Sequence, residues 1–170
     1  RFSVLVNRAG RRFTDESTSL LEERNPQAGF RQPDGRYWLI CNAAIMRGEV
    51  AGAQLDPALP KFDWLAFARE RGAPIEEADT LAALMPKLAA QGVDRVQLAR
   101  ELDAFNVAVH AGRAAALDPP RSSHPIALDI GPFYAVRCIA AITATCGGVA
   151  TDDRAQVLDT NGQPIADLYC

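Results

Sequence analysis

Apolar positions fall into two kinds of run along this chain: short blocks of strand length and longer stretches repeating every three or four residues. Residues 2–6, Phe-Ser-Val-Leu-Val, are rich in β-formers and are followed by the turn chemistry of Asn7-Arg-Ala-Gly10. Residues 11–16 are polar around one aromatic, Phe13. Residues 17–35 are irregular, with Asn25-Pro26, Gly29 and Pro33-Asp-Gly35, and predict a surface loop holding one helical turn at most. Residues 37–41, Tyr-Trp-Leu-Ile-Cys, are continuously apolar and suit a buried strand.

The middle reads as helical. Phe62, Leu65, Ala66 and Arg69 recur at helical spacing before Gly72-Ala-Pro74 stops the run. Asp79 or Thr80 caps a second helix whose apolar stripe is Leu81, Leu84, Met85 and Leu88. Pro86 falls inside it and predicts a kink or a division, and Gly92 ends it. Asp94 with Gln97 three residues later has capping-box spacing. Leu98, Leu102, Phe105 and Val109 share one face of the helix that follows, which Gly112 closes. These stripes predict core packing and carry no chemistry.

A proline-marked connection runs from residue 117 to 129. Residues 132–137 then alternate as a strand does, and the β-branched and small residues 139–145 extend it until Gly147-Gly148. The last part reads as a hairpin, residues 156–159 and 164–170, with Asn161-Gly162 as a two-residue turn signal. The order is strand, loop, strand, helices, strands, an α+β pattern in which a helical middle is inserted between contiguous ends, as in a cap on a larger sheet domain. The chain opens on Arg1 without a Met and closes inside a strand-like run, which predicts a piece cut or processed from something longer.

Composition narrows the class. With 170 residues, 48% hydrophobic, 23% charged and a formal net charge of -3, the chain has the size of one domain, or of one domain with part of another. A mildly acidic chain without a basic run predicts no nucleic-acid partner. The longest apolar stretches are far short of a membrane span, so no integral membrane segment is expected, and neither has the layout of a signal peptide. Cys41, Cys138, Cys146 and Cys170 are scattered without CxxC spacing, and His110 and His124 are the only histidines. That predicts no metal site, buried thiols, and a reducing, cytoplasmic setting.

Three segments carry a resemblance. Leu5-Val-Asn-Arg-Ala-Gly-Arg-Arg-Phe-Thr-Asp-Glu16 resembles the VN-x-x-G-x-RF-x-(N/D)-E segment of fumarate reductase-like flavoproteins. Pro132-Phe-Tyr-Ala-Val136, read on to Thr145-Cys-Gly-Gly-Val149, resembles their PFYAV…T-x-GG segment. Ala155-Gln-Val-Leu-Asp-Thr-Asn-Gly-Gln-Pro-Ile165 with Asp167-Leu-Tyr-Cys170 resembles the hairpin and strand leading into their AGE flavin loop. A weaker likeness at Ala78-Asp-Thr-Leu81 and Phe105-Asn106 fits the helical capping domain of the same proteins. Pro119-Pro-Arg-Ser-Ser123 looks most like the tricarballylate dehydrogenase branch, with a 3-ketosteroid dehydrogenase-like protein as the nearby possibility.

The resemblance implies an FAD-dependent dehydrogenase or reductase in which a helical capping (substrate) domain is flanked by strands of a larger FAD-binding domain. Residues 1–42 would be edge strands and a loop leading into the cap, 43–115 its helical part, and 116–170 strands and a hairpin returning to the FAD-binding domain. FAD would be the cofactor of the full-length protein, a small carboxylate such as tricarballylate the substrate, and the electron acceptor is left open. No GxGxxG occurs, so this stretch lacks the main dinucleotide cradle and is expected to be inactive alone.

A carboxylate substrate calls for guanidinium or hydroxyl donors. In fumarate reductases a proton-delivering arginine lies four residues after the glutamate matched by Glu16, and a substrate histidine three residues before the paired glycines. Here those places hold Leu20 and Ala144. Arg24 is the candidate replacement, against a solvated surface arginine. Glu16 is either near the active site or in a structural ion pair with Arg11 or Arg12. Tyr134 either offers its phenol to the substrate or packs in the strand. Thr143 and Thr145 are candidate substrate contacts. Gly147 and Gly148 would allow close approach to the flavin ring, against an ordinary tight turn. His110 reads as a helix-end cation and His124 as solvated. A non-catalytic capping or interaction module is the reading from another functional class.

Overall fold

Strand-forming runs from both ends of the chain meet in one sheet. The computed structural model describes residues 2–18, 24–50, 62–141 and 148–170. Strands β1 (Val4–Val6), β2 (Arg36–Asn42), β3 (Ile75–Ala78) and β4 (Phe133–Ile139) pair antiparallel in the order β1-β2-β4-β3. The register sets Val4 opposite Ile40, Cys41 opposite Tyr134, and Glu77 opposite Tyr134 on the other side. Successive side chains of a strand face opposite ways. Val4, Val6, Trp38, Ile40, Phe133 and Ala135 therefore share one face, and Tyr37, Leu39, Cys41, Tyr134, Val136 and Cys138 the other.

Helices α4 (Leu81–Ala90) and α5 (Arg95–His110) belong with the first face. Leu84, Leu88, Leu98, Leu102 and Phe105 form one buried cluster with Val4, Trp38, Ile40 and Phe133. Burying such a side chain contributes about 1.5–3 kcal/mol. Polar contacts fix the angle of approach: Trp38 Nε1 donates to Gln91 Oε1 at 2.8 Å, and Gln91 Nε2 donates to Glu76 Oε1 at 2.7 Å. Both helices start where the caps predict. Thr80 accepts from the Ala83 amide, and Asp94 from those of Val96 and Gln97.

Several expectations change. Pro86 is exposed and does not divide α4, which runs unbroken through it. Residues 24–30, expected in a loop with one helical turn at most, form the two-turn helix α1 (Arg24–Phe30), with Pro26 in the first turn where its missing N–H costs nothing. The four-residue helix α2 (Ala43–Met46), capped by Asn42, was not foreseen. Nor was β3, whose Ile-Glu-Glu-Ala text reads as polar. In the stripe before Gly72, only Leu65 packs against the core. Helix α3 (Trp64–Glu70) leaves Trp64 and Phe67 exposed, and Phe62 before it is exposed too.

β4 ends at Ile139, and residues 142–147 of the expected extension lie outside the described residues. The closing hairpin exists as β5 (Gln156–Leu158) and β6 (Pro164–Tyr169), a separate two-stranded sheet. Its turn lies within the expected residues 160–163 and has three residues. The Asp159 amide donates to the Gln163 carbonyl at 2.8 Å across Thr160-Asn161-Gly162, with Gly162 at φ 76°. This is the three-residue loop with glycine in the left-handed position.

Candidate functional site

The segment after β1 returns beside that strand, with a bridge between Val6 and Arg12, and a short 3-10 turn, Glu16–Thr18, follows. Glu16 is thereby carried to the outer edge of β1. Its Oε1 accepts from the Leu5 amide and from Arg12 Nε, both at 3.0 Å. Its Oε2 accepts from Arg12 Nη2 at 2.7 Å and from Arg121 Nη1 at 3.1 Å. The three side chains are 2% exposed or less. An edge strand presents unpaired amides, and here a carboxylate takes the place of a neighbouring strand.

Both guanidinium groups also donate to main-chain carbonyls. Arg12 reaches Pro119 at 2.8 Å and Pro120 at 3.0 Å, and stacks 5.1 Å from the centroid of the Phe105 ring. Arg121 reaches Ser3 at 3.0 Å, Ser123 at 3.1 Å and His124 at 3.1 Å. Burial pulls the Arg121 guanidinium below its ordinary range, and the Glu16 carboxylate opposes that. Asp15 adds a second stitch. Burial alone would raise its carboxyl, but hydrogen bonds from Ser122 and Ser17 outweigh that and hold it low. Among the described residues no buried side-chain nitrogen or oxygen lacks a hydrogen-bond partner.

Of the two readings of Glu16, the ion pair is present, with Arg12 and not with the exposed Arg11. Arg121 was missed. It lies 105 residues away in the chain, and no local pattern connects it to Glu16.

Tyr134 is buried near the start of β4 on the face away from α4 and α5, with its hydroxyl 3.4 Å from Glu77 Oε1. Burial raises its pKa, with Glu77 adding to the rise. Glu77 in turn pairs with Arg69 of α3. At about 3.3 Å per residue, the strand carries the chain about 17 Å from Tyr134 to its end at Ile139. Arg24 is exposed at the first position of α1. His110 Nε2, at the last position of α5, lies 2.7 Å from Asp129 Oδ2. His124, expected in solvent, is half-buried, with its ring 5.0 Å from that of Phe2.

Thr143, Thr145 and Gly147 lie outside the described residues, as do the places of Leu20 and Ala144. Gly148 is described: it is exposed at φ 155°, and a Cβ there would meet nothing within 4 Å. Among the described residues no hydrogen bond joins Arg24, Glu16, Tyr134 or Gly148 to one another.

Residues 3–170 match the family model described as FAD binding domain. The 4-oxocyclohexanecarboxylate 2-dehydrogenase of Sinomonas cyclohexanicum is 29% identical, over 98% of this chain and 30% of its own length. Among solved structures, the open conformation of a flavocytochrome c3 fumarate reductase superposes with a TM-score of 0.66 at 25% identity, over 98% of this chain and 26% of that one. The 3-ketosteroid delta1-dehydrogenase from Sterolibacterium denitrificans, solved with 1,4-androstadiene-3,17-dione, gives 0.61 at 27% identity, over 99% of this chain and 32% of that one. The chain thus spans about a quarter to a third of the length of these three relatives.

Proposed function

The chain belongs to the FAD binding domain family of flavin-dependent oxidoreductases, and on that premise we propose that it forms the substrate side of an enzyme that makes or removes a carbon–carbon double bond next to a carbonyl. The observation that carries this reading is the family match, which extends from residue 3 to residue 170. The named substrates of the relatives support the bond type. 4-Oxocyclohexanecarboxylate and a 3-ketosteroid carry a carbonyl that acidifies the neighbouring C–H, so a proton can leave one carbon while a hydride leaves the next; a fumarate reductase runs the reverse, a hydride adding to one alkene carbon and a proton to the other. FAD, when bound, exchanges that hydride.

In this reading residues 43–115 supply the helical part of a cap, and residues 1–42 and 116–170 its links to the FAD-binding domain. Gly148, with Gly147, would let the flavin ring approach the backbone. Thr143 and Thr145 would offer hydroxyls to the substrate, and Tyr134 a phenol held protonated beside Glu77. Arg24, exposed at the start of α1, is the guanidinium proposed to meet a substrate carboxylate. Glu16 serves the same site indirectly, by fixing Arg12 and Arg121. Cytoplasmic residence belongs to the same reading and rests on the scattered thiols; no helix among the described residues is long and apolar enough to cross a membrane.

The narrower substrate is a small polycarboxylate such as tricarballylate, supported by the likeness of residues 119–123 to that branch and by the fumarate reductase relative. A ring ketone, as in the steroid relatives, is the second reading, and one observation favours it. Arg121, the cation within residues 119–123, is fully buried and engaged, so it is not offered to a polycarboxylate.

The test is anaerobic. Protein containing this chain together with its dinucleotide-binding half is expected to purify yellow, and its flavin absorbance should bleach on adding one class of substrate. Tricarballylate and 4-oxocyclohexanecarboxylate, each added alone, separate the two readings. A colourless preparation that takes up no added FAD would overturn both.

A further inference from the structure

We propose that Arg12, Glu16 and Arg121 form an ionic clasp that locks the connection after β1 to the connection between α5 and β4, so that residues 12–18 and 119–124 move as one body. The inference is independent of the reaction assigned to the protein. The two connections are more than a hundred residues apart in sequence, yet side chains of the first address the backbone of the second at successive positions. Arg12 holds the Pro119 and Pro120 carbonyls. The Ser122 amide donates to Asp15 Oδ2 at 3.2 Å, and the Ser123 amide donates to Ser17 Oγ at 3.1 Å. Arg121 closes the loop by returning to Glu16 and, through Ser3, to the edge of β1.

The chemistry suits a lock better than simple filling of space. An apolar trio of the same volume would bury as well and is often no less stable than a buried ion pair. It would not, however, fix the direction of seven main-chain groups, the Leu5 amide and six carbonyls. Charge-assisted hydrogen bonds in a dry site are directional, and a forked guanidinium defines two directions at once. Two arginines around one glutamate leave an excess positive charge, which the surrounding carbonyl oxygens of Ser3, Thr14, Pro119, Pro120, Ser123 and His124 accept. Removing one member therefore disturbs the backbone of both connections, not only its own.

Amide hydrogen exchange on the full chain tests this, because Leu5, Ser122 and Ser123 each report one strand of the clasp. In Arg121→Met all three amides are expected to exchange at least about tenfold faster, whereas those of Leu98 and Leu102 in α5 keep their wild-type rates. Unchanged exchange at the three reporters would overturn the clasp, and so would an equal acceleration in α5, which would mean ordinary global destabilisation. Should Arg121→Met fail to fold, Arg121→Lys decides. It keeps the charge but loses the fork, so Ser122 and Ser123 should accelerate while Leu5, still held through Arg12 and Glu16, does not. Wild-type protection of Ser122 and Ser123 in that variant would also refute the proposal.

Discussion

Gly10 shows how one residue without a side chain decides where an element can sit. It ends the turn after β1 at φ 69°, and a Cβ there would stand 2.5 Å from the Asp94 carbonyl oxygen and 2.6 Å from the Leu98 amide nitrogen. The first turn of α5 is thus pressed onto the glycine backbone, and the Asp94 amide donates to the Arg8 carbonyl at 2.8 Å beside it. Gly10→Ala combines a left-handed backbone with a clash against main-chain atoms that cannot swing away, and is expected to lower the unfolding free energy by about 2–4 kcal/mol. Gly112 isolates the first effect, since it has φ 65° and nothing within 4 Å of a built Cβ. Its alanine variant should cost about 1 kcal/mol. Urea unfolding of the two variants checks this, and equal losses would show that the contact with α5 contributes nothing. At this scale the candidate site was half legible. The Glu16–Arg12 pair is visible because the residues are four apart. Arg121 and Glu77 reach Glu16 and Tyr134 only through the fold, so no local spacing announces them.

Elements were legible in proportion to how much of their stability is local. Helices α4 and α5 carry their own caps and an apolar stripe with one period, and both form where those signals place them. The cap of α5 can be weighed: Asp94 accepts from two amides at 2.9 and 3.0 Å, and Asp94→Ala is expected to cost about 1 kcal/mol in the same urea experiment. Asp94→Asn, which retains an accepting oxygen, should lose much less; equal losses would mean that the cap bonds are not what stabilises the helix start. β3 is the opposite case. Its two glutamates hide it, and its strand character comes from pairing with β4, from Gln91 reaching Glu76, and from Lys87 Nζ donating to the Glu77 carbonyl at 2.7 Å on the outer edge. A lysine guarding an edge carbonyl blunts that edge against further pairing. The hairpin turn falls inside residues 160–163, where the sequence places it, and is closed one residue earlier. The decisive bond, from the Asp159 amide to the Gln163 carbonyl, follows from the left-handed Gly162 and not from the Asn-Gly pair alone.

For the molecule as a whole, the sheet face away from α4 and α5 sets an alkaline limit on stability. Tyr37 and Cys41 of β2 stand opposite Cys138 and Tyr134 of β4. Burial raises the pKa of all four, the Cys41 thiol to about 12 and the Cys138 thiol to about 11, from an ordinary 9.0. Each is an acid whose folded pKa lies above its unfolded one. Its contribution is therefore fully present below the unfolded value and is lost as pH rises through the folded value. Between about pH 9 and 12 the unfolded chain releases protons that the folded chain retains, so stability must fall with pH across that window. Three units on Cys41 alone correspond to about 4 kcal/mol, an upper figure because a sheet can open locally before the thiol ionises in place. Urea midpoints measured at pH 8, 9 and 10 are expected to decline, and more gently in Cys41→Ala once its own lower stability at pH 8 is subtracted. Parallel curves for the variant and the parent would show that Cys41 ionises in the folded sheet, and that the core over β2 and β4 is wetter than its packing implies.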